Sequence, residues 1–163
     1  MLANGVIYVH SAPPAICPHV EWALSSVLGT RVSLQWTEQS AAPGQLCART
    51  VWSGNPGSGG RIAAALRKWN MLRFEVTEEA TPGADGERIC YLPGRGVWHA
   101  VMSANGDILV GESQVADLVR QATCLDDLRA KLATALGADV DAELEPFRRA
   151  ADGTAITWLH QVG

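Results

Sequence analysis

The feature that most constrains this chain is a repeated change of apolar period. Val6, Ile7, Tyr8 and Val9 are apolar in succession, which suits a strand buried on both faces. Pro13 and Pro14 end it. Val20, Ala23, Leu24, Val27 and Leu28 then recur at three- and four-residue intervals. They form one stripe of a helix that opens at Pro18 and stops at Gly29. Val32, Leu34 and Trp36 alternate with polar residues, as in a strand with one wet face. Residues 46–52 read as a further strand, and SGNPGSGG as a loop. Ile62, Ala65, Leu66 and Trp69 share a helical face. Leu72, Phe74 and Val76 alternate with Arg73, Glu75 and Thr77. The order is βαββαβ, a ferredoxin-like pattern in which strands one and three are central and strands two and four are edges.

The stretch TPGADGE breaks the composition and separates residues 1–80 from residues 87–163. Residues 87–92 predict a strand. Asn105-Gly106 between two apolar runs predicts a hairpin with a type I′ turn, positive φ at both positions. Val115, Leu118, Val119 and Ala122 form one helical stripe with Ser113 as its N-cap. Leu125, Leu128, Leu132, Ala135 and Leu136 form the next, with Thr123 and Asp126 as a capping pair. Residues 141–150 predict a short helix broken at Pro146, and Ile156, Trp158, His160 and Val162 a closing strand. The fold class is therefore α+β: a ferredoxin-like half, then a half of hairpin, helices and strand. The second half packs on the first or adds its strands to the same sheet, as two units or one domain.

Composition narrows the function. Of 163 residues, 47% are hydrophobic and 18% charged, so the chain can build a core. The net charge is −4, with no basic run. Tyr8 and Trp52 are the aromatics on the strands an RNA module would use, so no nucleic acid is expected. No apolar run approaches about 18 residues and the N-terminus lacks a signal peptide's basic region, so no membrane is expected. Cys17, Cys47, Cys90 and Cys124 make no CxxC pair, which fits reduced thiols in a cytoplasm.

One stretch is crowded with reactive groups. VHSAPPAICPHVEW carries His10 and Ser11 at the end of the first strand, and Cys17, His19 and Trp22 at the start of the first helix. Strand ends and helix N-termini are where α/β proteins place ligand groups. A zinc ion would need His99 or His160 beside His10, Cys17 and His19. A thiolate–imidazole pair of Cys17 with either histidine is the other chemical reading. The plainer reading is a stiff corner set by Pro13, Pro14 and Pro18, and no bound metal or cofactor is expected. Trp22 lies nearly opposite the apolar stripe, either as an anchor for a partner or buried under the second half. Backbone N–H groups of Gly59, Gly60 and Arg61 could take an anion at a helix start, although a plain loop fits as well. His99 and His160 read as packing residues. The pairs Glu78-Glu79, Asp126-Asp127 and Glu143/Glu145 read as solvated charge.

Four stretches, GVIYVHSAPPAICPHVEWAL, RVSLQW, RFEVTEE and WLHQV, resemble those of an actinobacterial family, DUF3145, whose domain has no assigned function. The resemblance runs over nearly the whole chain. It implies a bacterial cytoplasmic protein beside central carbon or fatty-acid metabolism, and supplies no catalytic residue. The residues alone give no complete catalytic constellation, yet six tryptophans and open strand edges. The expected function is a non-enzymatic accessory or regulatory module that binds a larger enzyme assembly or itself. The rival is a small-ligand-binding protein or enzyme using the His10/Cys17/His19 corner.

Overall fold

A computed structural model describes residues 1–151. The expected closing strand over Ile156, Trp158, His160 and Val162 lies outside the described residues. The elements run β1 (Ala3–Ala12), α1 (Cys17–Leu28), β2 (Thr37–Glu38), β3 (Leu46–Gly54), α2 (Ser58–Leu66), β4 (Arg73–Glu78), β5 (Gly86–Leu92), β6 (Gly96–Met102), β7 (Ile108–Leu109), α3 (Glu112–Gln121), α4 (Leu125–Ala135) and α5 (Ala138–Ala151). This is a mixed α+β fold. Seven strands form one antiparallel sheet in the order β2-β3-β1-β4-β5-β6-β7. The later strands therefore extend the first sheet.

One face of that sheet packs on α1 and α2. Ile7, Val9, Ala48, Trp52, Phe74 and Val76 meet Val20, Ala23 and Leu24 of α1 and Ile62, Ala63 and Leu66 of α2. This is the stripe the spacing predicts, and α1 ends as expected on Gly29 in the left-handed region. The other face carries α5, where Val140 and Leu144 pack on Cys90 and Leu92 beside Trp98. Gly137 joins α4 to α5 at φ 87°, and a Cβ there would lie 2.7 Å from the Trp98 ring, so both conformation and space demand glycine.

Several expectations need correction. Residues 31–36 are not a strand, and the second strand is only Thr37–Glu38. The cause lies in α1, whose side chains take the donors a neighbouring strand would use. The Glu21 carboxylate accepts from the Leu34 amide at 2.8 Å and the Trp36 indole at 3.0 Å, and Ser25 Oγ accepts from the Val32 amide at 2.9 Å. Strand β4 is no edge. It pairs with β1 and β5 and is buried on both faces, because α5 covers the side that Glu75 and Thr77 occupy.

The Asn-Gly turn closes differently as well. Only Gly106 has positive φ; Gly106 N–H donates to Ser103 O and Ser103 N–H to Asp107 O, a longer loop than type I′. Helix α3 is capped by Gly111 rather than Ser113, and α4 by Cys124, whose sulfur accepts from the Asp127 amide while Asp127 accepts from the Thr123 amide. The capping box is present one residue later than expected. Helix α5 runs through Pro146 unbroken. Both Ala142 and Pro146 are exposed, so the carbonyl that loses its donor faces water.

Candidate functional site

The crowded corner separates into three environments. Strand β1 shifts register against both neighbours between Val9 and Ala12, so His10 and Ser11 sit in a bulge. A bulge leaves ladder groups unpaired and re-aims side chains. The freed His10 carbonyl is met by the buried Gln39 side chain, whose Nε2 donates at 2.8 Å and also reaches Phe147 O at 3.2 Å. His10 itself points under α5. Ser11 Oγ accepts from Arg73 Nη1 at 3.2 Å. Cys17 lies on the opposite face of the sheet, in the core against α1, its thiol toward Pro13 O at 3.5 Å. Burial pushes that thiol up to about 11, which keeps it protonated and unreactive. His19 is exposed on α1. The structure therefore does not bring His10, Cys17 and His19 together, and no group of three or more His, Cys, Asp or Glu that could hold a metal ion occurs among the described residues. His99 is half-exposed, 3.6 Å from Glu87, and His160 lies outside the described residues.

His10 belongs instead to a buried polar centre between the sheet and α5. Glu75 of β4 is its hub. The Glu75 Oε1 atom accepts from His10 Nε2 at 2.6 Å and from Arg148 Nε and Nη2 at 2.9 and 2.6 Å. The Oε2 atom accepts from Arg88 Nη2 at 2.9 Å. Asp141, at the solvent rim, accepts from Arg88 at 2.6 Å and Arg148 at 3.0 Å. Two guanidiniums and two carboxylates balance, so a neutral imidazole fits. Burial holds His10 below its usual range despite Glu75 beside it. Burial alone would raise Glu75, but the His10 hydrogen bond and the guanidiniums of Arg88 and Arg148 outweigh it and hold the carboxyl far below its usual range. With Nε2–H donated to Glu75, His10 Nδ1 is a buried acceptor without a partner among the described residues. The centre has the parts of a carboxylate-oriented imidazole, yet His10 is fully shut from solvent, so no substrate reaches it in this conformation.

The loop before α2 does bind an anion, and the anion is the protein's own. Glu78 of β4 accepts from the Gly57 amide at 2.7 Å and the Gly59 amide at 2.8 Å. Glu78 is thus a buried cap at a helix N-terminus rather than solvated charge. A Cβ at Gly59 would come within 3.1 Å of the Glu78 carboxylate, so the close approach explains the glycine. Gly60 and Arg61 lie beside it, and Arg61 Nη2 is turned to Ser58 Oγ at 2.8 Å.

What the fold leaves outside is apolar. Trp22 is 66% exposed, as an anchor would be, with the Lys68 ammonium 5.6 Å from its ring and 4.4 Å from that of Trp69; His19 stands 6.1 Å from Trp69. Neither α3 nor α4 contains one buried residue. Their principal packing is on each other and on α5. Val119 is 55% and Leu125 61% exposed, and Leu109, Val115 and Leu136 are exposed with them. A cleft of about 770 Å³ opens between this helical hairpin and β6–β7, lined by Trp98, His99, Leu109 and Gln114 among others.

A family model described as "Protein of unknown function (DUF3145)" matches residues 6–161. The chain belongs to that family. Neither the curated proteins nor the solved structures contain a match to it. For this DUF3145 chain the site must therefore be argued from its own residues. Sequence reasoning marked Trp22 correctly but missed Glu75, Arg88, Asp141 and Arg148. Their polar character on alternating positions reads as a wet face until α5 is seen to cover it. The DUF3145 chain has no helix among the described residues long and apolar enough to cross a membrane.

Proposed function

We propose that this chain is a non-enzymatic, cytoplasmic interaction module that docks on a larger metabolic enzyme assembly through its α3–α4 hairpin. One observation carries the reading: two amphipathic helices together bury no side chain within their own chain. Apolar stripes of that kind are covered by a partner in working proteins. The occupant is an apolar protein surface rather than a charged one. Charge on the hairpin is already satisfied internally, with Arg120 paired to Asp117, Arg129 to Asp126 and Lys131 to Asp127, and what remains for a partner is Val115, Val119, Leu125 and Leu136. Three buried free thiols accord with a reducing compartment.

The test is isolation of the native protein at low salt with the mass of its complex measured. The expected result is a fixed-stoichiometry complex with a larger protein, lost in Val119→Asp and Leu125→Asp variants whose circular dichroism is unchanged. A complex that survives both substitutions, or a chain that is monomeric with and without them, overturns the proposal.

A further inference from the structure

Strand β3 has an open side. Its pairing with β1 runs from Leu46 to Gly54, but its other edge meets β2 only at Leu46 and Cys47. From Ala48 to Gly54 that edge has no neighbouring strand among the described residues. An unpaired edge of this length is a template for strand addition. The segment that would ordinarily continue β2 is held away by Glu21 and Ser25. A cleft of about 350 Å³ follows, lined by Ile7, Leu24, Leu28, Val32 and Trp52. The edge thus offers backbone donors and acceptors above an apolar slot that accepts alternate side chains of a strand.

We propose that residues 156–162 of this same chain occupy that edge. Three observations select them. First, the family match continues to residue 161, past the end of α5, so these residues are part of the family's unit. Second, α5 delivers the chain to one end of the edge. Gln39 Nε2 bonds Phe147 O, the Arg73 guanidinium lies over the Phe147 ring, and Gln39 adjoins the turn that enters β3. Third, the lengths agree. Residues 152–155 can span about 13 Å. The remaining segment, 156–162, then faces 48–54 residue for residue over about 23 Å. Ile156, Trp158, His160 and Val162 alternate with Thr157, Leu159 and Gln161. One set enters the slot and the other points to the α5 side. Because the chain arrives at the start of β3, the added strand runs parallel to it. This proposal is independent of the docking reading for α3–α4.

Hydrogen exchange on the full-length chain tests it, comparing the native protein with Leu159→Pro, which removes a ladder donor. Slow exchange across 48–54 in the native monomer, at least tenfold faster in the variant with β5 and β6 unchanged, is the expected result. Fast exchange at 48–54 in the native protein overturns the proposal, as does a variant that leaves it slow. Slow exchange that depends on protein concentration assigns the edge to a second copy and overturns it too. Should Leu159→Pro unfold the chain, a photo-crosslinking residue in place of Trp158 gives the answer in the folded protein. Crosslinks to residues 30–33 or 48–54 of the same chain support the proposal, and crosslinks to α3 or α4 overturn it.

Discussion

A single carboxylate organises the interior. Glu75 is nearly inaccessible yet collects hydrogen bonds from His10, Arg88 and Arg148. Two buried guanidiniums without that partner would keep the cost of desolvation and lose the attraction that offsets it. Glu75→Gln is therefore expected to destabilise the fold by roughly 3–5 kcal/mol, measured by urea unfolding at neutral pH. A loss below about 1 kcal/mol would mean that Asp141 alone can hold both arginines. The cysteines give a second residue-scale expectation. Burial raises the Cys17 thiol to about 11 and lifts the Cys90 thiol strongly, and Cys47 is buried as well, while Cys124 is exposed. In the native state a thiol reagent at pH 8 should label Cys124 quickly and the other three only on unfolding. Rapid labelling of Cys17 would show the corner to be more open than its packing implies.

At the scale of elements, the two helical hairpin members and α5 respond oppositely to substitution. Val119→Asp and Leu125→Asp remove nothing from the chain's own core, so each should change stability by less than about 0.5 kcal/mol. Leu144 is completely buried between α5 and the sheet, and Leu144→Ala should cost about 2–5 kcal/mol. Thermal melts of the three variants side by side separate the cases, and a large loss in Val119→Asp would mean that α3 is packed after all. The same scale shows what was legible in the sequence. Apolar period located α1, α2, β3, β4 and β5, because their stripes face one neighbour each. It failed at residues 31–36, where the alternation of Val32, Leu34 and Trp36 is real but the backbone donors go to Glu21 and Ser25, an interaction with no local pattern. It failed again in β4, where polar Glu75 and Thr77 mimic a solvent face although a helix some sixty residues later covers them. Pro146 gave a false break because the exposed side of a helix tolerates a lost donor. The candidate site was legible only in part: Trp22 stood off its stripe and is exposed, whereas the partners of His10 are distant in sequence and assemble only through the fold.

The whole molecule is bound across its midline by that same centre, since α5 reaches from β5 and β6 to β1 and β4. Its titration should set the acid limit of the fold. His10 is depressed in the folded state relative to its ordinary value of 6.5. Below pH 6.5 the unfolded chain takes a proton the native chain refuses, so stability falls as pH drops through that region and is fully present above it. Glu75 is depressed relative to 4.5. Its contribution is complete above pH 4.5 and is lost as pH falls further. The urea midpoint should therefore be level above about pH 7.5, decline below 6.5 and decline again below 4.5. In His10→Asn the upper decline should vanish and the lower one remain. An upper decline that persists in that variant would assign it to His19 or His99.

The Glu78 cap carries a consequence for what this scaffold could become. Its carboxylate occupies a seat that two main-chain amides would offer to any small oxyanion, and the seat is carved by the absence of a side chain at Gly59. Vacating it should convert a structural plug into a receptor. Glu78→Gly is expected to lose about 1–2 kcal/mol of stability and to regain part of it when formate or acetate is added, with chloride inert. Restoration by formate, titrated in a melting experiment, would mean that a new binding function lies one substitution away. A variant indifferent to formate would mean that the loop collapses once its own anion is gone.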